Sequence, residues 1–280
     1  MKSYGMKDIG CVRSENQDNI FYTDAPIGML SNLYIVADGM GGHNAGAYAS
    51  KYVTDQLVDN ARKSKGWDVV AFLENVLKQL NYQLLKKGSE EEAYAGMGTT
   101  TVAASEKDGK LYVVNVGDSR LYHIHDGEMK QITVDHSYVQ ELISAGVIDK
   151  EDGRNHPNKN VITRAVGAPQ SLNVDHFIVP LSEGDYVILC SDGLHGMVED
   201  EEIKEVVKSF DLQKVKIYDR LPDNAQDISS TESVMLEYIE RSTLKDTDNF
   251  FLIQATSPLL KSKHIDEMYE KFIREKADSA

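Results

Sequence analysis

Apolar and polar positions alternate along this chain in two distinct rhythms. The runs "NIFYT" (19–23), "NLYIVADG" (32–39), "GTTTVAAS" (98–105), "KLYVVNVG" (110–117), "RLYHIH" (120–125), "DHFIVP" (175–180), "DYVILCSDG" (185–193) and "NFFLIQA" (249–255) are short, apolar and bounded by turn formers, which predicts strands. The turn signals "KDGK" and "HDGE" leave gaps short enough for hairpins, so the pairing is expected to be antiparallel. A helical period appears instead around 44–62, 68–88, 137–146, 200–209, 230–241 and 262–276. In "VVAFLENVLKQLNYQLL", residues Val69, Phe72, Val76, Leu80 and Leu84 recur every three or four positions and form one stripe to bury. Meandering strands with long helices between them predict sheets covered by helices, not a doubly wound parallel sheet. The segment 211–229 has no sustained period and reads as an exposed connection. The last helix places Ile265, Met268, Tyr269, Phe272 and Ile273 on one stripe, which favours docking on the body of the protein.

Composition narrows the partners. The 280 residues are 41% hydrophobic, enough for an ordinary core, and no repeat or Pro-rich linker demands a domain boundary. A net charge of −15 opposes nucleic acid and anionic membranes by long-range repulsion, whereas excess carboxylates suit cations. No window approaches the roughly 18 apolar residues of a spanning helix, and the first residues lack the apolar core of a signal peptide, so the expectation is a cytoplasmic protein. Cys11 and Cys190 are too few for a disulfide framework and read as reduced, buried thiols.

The chemistry gathers at strand ends. Apolar runs terminate at Asp38, Asp118 and Asp192, and Asp248 stands just before a fourth run. An aspartate beside glycine is a common turn former, but carboxylates brought together by neighbouring strands would repel and protonate unless a cation joined them. Carboxylate oxygens are hard ligands that suit Mg²⁺ or Mn²⁺, and the chain offers no HExxH or Cys cluster for zinc. Gly39, without a Cβ, lets its carbonyl approach such an ion. The stretch "VADGMGGHNAG" has neither the lysine of a Walker loop nor the third glycine of a dinucleotide fingerprint, which argues against a phosphate cradle. Two divalent ions bridged by a carboxylate can acidify a water and clamp a phosphoryl oxygen. Arg13, close to the acidic turn "NQD" (16–18), is then the candidate anchor for the phosphate dianion.

The ordered motifs "DIGCVRSENQDN", "VADGMGGHNAG", "GTTTVAA", "VVNVGDSRLYHI", "DHSYVQELISAGVI", "NVITRAVG", "VILCSDGLHGMV" and "DNFFLI" span roughly residues 4–255 and resemble the bacterial branch of the metal-dependent PP2C-type (PPM) serine/threonine protein phosphatases. The resemblance implies an α+β fold, a four-layer αββα sandwich of two antiparallel sheets flanked by helices. It also implies a phosphatase domain over 1–256 with a mobile flap about 136–168, followed by a C-terminal helical extension over 257–280. Carried over by position, Asp38 resembles the carboxylate that bridges two Mn²⁺ or Mg²⁺ ions, with the Gly39 carbonyl on the second and Asp192 and Asp248 on the first. Asp118 resembles the aspartate that helps to hold a third ion in bacterial relatives. Asp18 resembles a group bonded to solvent on the metals, and Arg13 the phosphate anchor.

The chain also departs from that pattern. Met40 stands where animal relatives carry a histidine proposed as general acid, which leaves the proton donor unassigned. His43 is close in sequence, though its ring can equally bond to the loop, and His195, where a threonine is commoner, is a candidate for tuning solvent at the metals. Ala47 replaces a frequent glutamate, and "KDTDNF" replaces a glycine-rich approach to Asp248. The expected activity is hydrolysis of phosphoserine and phosphothreonine in proteins, reversing a cognate Ser/Thr kinase, by a monomer with no nucleic-acid or membrane partner. A phosphoprotein-binding module without turnover and an enzyme acting on a small phosphorylated metabolite are the competing readings.

Overall fold

Strand and helix positions follow the two rhythms closely in the computed structural model, which describes residues 2–9, 15–42, 45–168 and 171–209. In chain order the strands are β1 (Asp18–Thr23), β2 (Leu33–Met40), β3 (Gly98–Thr99), β4 (Thr101–Lys107), β5 (Lys110–Val116), β6 (Arg120–His125), β7 (Glu128–Gln131), β8 (Asp175–Pro180) and β9 (Tyr186–Cys190). The helices are α1 (Ala45–Lys63), α2 (Val69–Glu90), α3 (Tyr138–Ser144), α4 (Lys150–Arg154), α5 (Asp192–His195) and α6 (Asp200–Ser209). The described residues belong to one compact unit.

All strand pairings among the described residues are antiparallel. One sheet runs β1-β2-β4-β5-β8 with β3 paired to β2, and the other runs β7-β6-β9. Both hairpin turns foreseen at "KDGK" and "HDGE" exist. Asp108 and Gly109 take φ of 54° and 71°, and Asp126 and Gly127 take 48° and 80°, the left-handed pair that lets a two-residue loop match strand twist. Helix α2 starts where the side chain of Asp68 accepts a hydrogen bond from the Ala71 amide at 2.9 Å, satisfying one of the free N–H groups of the first turn.

Two apolar clusters hold the layers. Leu33, Ile35, Ala103 and Val114 on one face of the larger sheet pack against Val53 and Leu57 of α1 and Leu73, Leu77 and Leu80 of α2. Val36, Val102, Leu111 and Val113 on the other face meet Leu121 of the smaller sheet, with Val187 and Leu189 alongside. The alternation of side chains along each strand feeds both clusters from the same strands. Two antiparallel sheets face to face, with helices outside, are the α+β sandwich that was expected.

The differences are local. The expected strand over 98–105 is broken at Thr100 into β3 and β4, and the run 185–193 ends as a strand at Cys190, after which residues 192–195 form one helical turn. Strand β7 and helix α4 have no counterpart in the sequence reading. Cys190 is a buried free thiol whose pKa burial pushes up to about 12. No helix among the described residues is long and apolar enough to cross a membrane. The expected strand 249–255, the helices 230–241 and 262–276, the connection 211–229 and Cys11 lie outside the described residues.

Candidate active site

Four carboxylates reach one cleft from four chain segments. Antiparallel pairing of β1 and β2 sets Asp18 directly opposite Asp38. Asp118 follows the end of β5, and Asp192 follows the end of β9 as the first residue of α5. Asp18, Asp38, Gly39, Asp118 and Asp192 all line an open cleft of about 480 Å³. Arg13, His43 and Asp248 lie outside the described residues.

The grouping has an electrostatic cost. Burial, followed by repulsion from Asp18 and Asp192, a hydrogen bond with Asp192 and repulsion from Asp118, pushes the Asp38 pKa up to about 9. Asp118 is pushed up to about 7, first by burial and then by Asp192 and Asp135, with Arg120 offsetting only part of this. Asp38 would keep its proton at neutral pH and Asp118 would be partly protonated, and a hard divalent cation relieves the burial and the repulsion together. The donor set is carboxylate and backbone oxygen, which fits Mn²⁺ or Mg²⁺.

Asp38 is held by its backbone. The Asp38 amide donates to Thr100 Oγ1 at 3.0 Å, and the Thr100 amide and the Thr99 hydroxyl both donate to the Asp38 carbonyl, at 2.8 and 2.9 Å. Thr100 Oγ1 in turn shares a 2.7 Å hydrogen bond with Ser119 Oγ, beside Asp118. These hydroxyls are buried, so the link between the segments that carry Asp38 and Asp118 excludes water. Two glycines of "VADGMGGHNAG", Gly39 and Gly46, are spacers between backbones. A Cβ on Gly39 would lie 2.1 Å from the Gly46 carbonyl oxygen, so only glycine lets the end of β2 meet the start of α1. Asp18 Oδ2 accepts a hydrogen bond from Ser191 Oγ at 2.8 Å, tying β1 to the residue before Asp192.

His195 has a definite position. Its ring is buried and its Nε2 lies 3.0 Å from the Asp118 carbonyl oxygen, which makes that nitrogen the donor. Burial, and next Arg120, lower its pKa, so the ring is neutral and braces the Asp118 backbone. The segment 136–168 is held at its start and in its middle. His136 Nδ1 accepts from the Gly117 amide at 3.0 Å, its Nε2 lies 3.0 Å from Asp175 Oδ2, and Ser137 caps α3 by accepting from the Gln140 amide. Arg154 of α4 reaches across to the His195 and Val198 carbonyls, both at 3.3 Å, and to Glu199 at 2.7 Å. Val139, Gln140, Ile143, Lys150 and Arg154 thereby form one wall of the cleft.

Sequence reasoning missed several supports. Thr99, Thr100, Ser119 and His136 were not singled out, although the threonine run after Gly98 and the serine after Asp118 were visible. Nor was the half-buried ion pair in which Arg120 grips Asp135 at 2.7 Å and passes through Tyr122 to Asp200.

The sequence model of the family described as protein phosphatase 2C matches residues 12–221. The serine/threonine phosphatase stp of Listeria innocua is 38% identical over 211 residues, which cover 72% of this chain and 81% of that protein. Among solved structures, serine/threonine phosphatase Stp1 from Staphylococcus aureus aligns with a TM-score of 0.67 and 35% identity, covering 74% of this chain and 86% of the other. The catalytic domain of serine threonine protein phosphatase PstP, solved in complex with 2 manganese ions, aligns with a TM-score of 0.62 and 34% identity over 71% and 80% of the two chains. With this fold, this acidic cleft and a match across most of its length, the chain belongs to the protein phosphatase 2C family.

Proposed function

We propose that the cleft floored by Asp38 removes phosphoryl groups from phosphoserine and phosphothreonine side chains of proteins. The chain is a serine/threonine protein phosphatase of the 2C type, and its cofactor is Mn²⁺ or Mg²⁺. The observation that carries the site assignment is the convergence of Asp18, Asp38, Asp118 and Asp192 on one cleft, with Asp18 directly opposite Asp38 in the sheet. In this reading Asp38 serves two ions, Gly39 offers its carbonyl to one, and Asp192 with Asp248 serves the other. Asp118 and Asp192 together suit a third. When bound, the ions supply a water acidic enough to attack at neutral pH and offset the charge of the phosphate.

The remaining work falls to the chain itself. Asp18, fixed by Ser191, orients solvent at the edge of the acidic group. Arg13 grips phosphate oxygens through its guanidinium fork. His195 positions Asp118 through the backbone and has its Nε2 proton committed there. Met40 carries no proton, so the departing alkoxide depends on solvent or on His43. The phosphatase domain is assigned to 1–256 and the helical extension to 257–280. A cognate Ser/Thr kinase supplies the substrates of a monomeric, cytoplasmic enzyme, and the net charge of −15 opposes nucleic-acid and anionic-membrane partners.

Substrate class is tested by comparing kcat/KM for a phosphothreonine peptide with that for small phosphorylated metabolites, in Mn²⁺ and in EDTA. The peptide is expected to be preferred by more than about tenfold, or about 1.4 kcal/mol, with turnover abolished by EDTA. Preference for a metabolite, or turnover that survives chelation, would overturn the reading.

A further inference from the structure

Strand β6 links two very different groups of side chains. Its N-terminal end adjoins Asp118 in the acidic cleft, and its C-terminal end carries His123 and His125. His123 is five positions after Asp118, or about 17 Å of extended chain at roughly 3.3 Å per residue. The second group therefore lies outside the cleft.

His123 and His125 are two positions apart, so they share the face on which Leu121 enters the core between the sheets. The register of β6 with β9 pairs Ile124 with Tyr186. Extended by one residue, it sets Asp185 opposite His125. One Asp185 oxygen, Oδ2, lies 2.8 Å from His123 Nε2, and the other, Oδ1, lies 2.7 Å from His125 Nδ1. The Ser182 amide also donates to Oδ2, at 2.8 Å, which fixes the carboxylate in the connection before β9. Burial alone would raise the Asp185 pKa, but the Ser182 amide and the two imidazoles outweigh it and hold the group at about 2.

We propose that His123, His125 and Asp185 form a binding site for a borderline transition-metal cation, zinc being the ion that fits, separate from the acidic cleft. Two imidazoles and one carboxylate are the donor types zinc takes, whereas Mg²⁺ and Mn²⁺ prefer an all-oxygen set. The candidate ligand atoms all lie within 4.8 Å of one another. Zinc bonds of about 2.0–2.1 Å in a tetrahedron put ligand atoms roughly 3.3 Å apart, so only small rotations are needed. On binding, the imidazole nitrogens that face Asp185 offer their lone pairs to the ion, and the one proton of each neutral ring sits on the opposite nitrogen. His125 Nε2 already faces Asp126 Oδ2 at 3.5 Å, a carboxylate placed to hold that outer proton. Side-chain exposure is 12% for His123 and 6% for Asp185 but 50% for His125, so the site is walled by protein and open on one side to a solvent ligand. An ion there clips the end of β6 to the connection that starts β9.

The test is equilibrium dialysis of the full chain against zinc in a large excess of Mg²⁺, beside His125→Gln, with melting temperature and phosphothreonine-peptide turnover in Mn²⁺ measured on both. His125 is half-exposed, so the variant is expected to fold and to keep its turnover. The wild type should bind one more equivalent of zinc than His125→Gln, or bind that equivalent more than about tenfold tighter, since even outer partners of metal ligands are worth that much. Zinc should also raise its melting temperature more. Equal zinc binding and equal thermal shift in the two proteins would overturn the proposal and leave the cluster a histidine–aspartate ion pair.

Discussion

Asp38 couples metal to protonation and to stability. Without metal its folded-state pKa is about 9, whereas an exposed aspartate in the unfolded chain titrates near its ordinary value of 3.8. Between those two values the native state holds a proton that the unfolded state has released. Stability of the metal-free protein is therefore fully supported below the lower value and declines as pH rises towards the upper one. Mn²⁺ binds the ionised carboxylate, so it opposes this loss and displaces the proton. The gap in melting temperature between Mn²⁺-loaded and EDTA-treated protein should widen steadily from about pH 5.5 to about pH 8.5. A gap that is constant over that range, measured in buffers of equal ionic strength, would mean that Asp38 is not held protonated in the metal-free state.

The break between β3 and β4 works as an element because Thr100 sits in it. Its hydroxyl accepts from the Asp38 amide and bonds to Ser119, so one side chain registers β2 against the turn that carries Asp118. Thr100→Val keeps the shape and leaves two buried polar groups without their partner, each costing about 1–3 kcal/mol. The variant should melt lower and bind Mn²⁺ about ten- to a hundredfold more weakly, while Thr100→Ser recovers most of both. Titration calorimetry showing unchanged Mn²⁺ affinity in Thr100→Val would refute this role. The sequence could not display this support, since Thr100 and Asp38 are 62 positions apart and a threonine run reads simply as strand. Helices α1 and α2 and both Asp-Gly hairpins were legible because their signals are local: an apolar stripe, and a turn that needs left-handed backbone. Strand β7, "EMKQ", was not, because its only apolar residue is Met129 and pairing with β6 decides its conformation.

At the scale of the molecule, two sheets converge their strand ends on one cleft and leave the opposite end of β6 for histidines. The ends of the apolar runs showed where Asp38, Asp118 and Asp192 would stand, and the resemblance supplied their grouping and added Asp18. The bracing by Arg120, Asp135, Tyr122 and Asp200, which joins β6 to α6, depends on tertiary contacts that no local pattern encodes. The central claim is that these carboxylates are tolerable together because they hold hard cations that serve hydrolysis. Its most direct test is titration of metal-stripped protein with Mn²⁺, following binding stoichiometry and phosphothreonine-peptide turnover together, for the wild type and for Asp38→Asn. The wild type should bind at least two ions and gain turnover as they bind, whereas Asp38→Asn should lose tight binding and at least about a hundredfold in kcat. Turnover in the wild type before any ion binds, or an Asp38→Asn variant with wild-type stoichiometry and rate, would contradict the account.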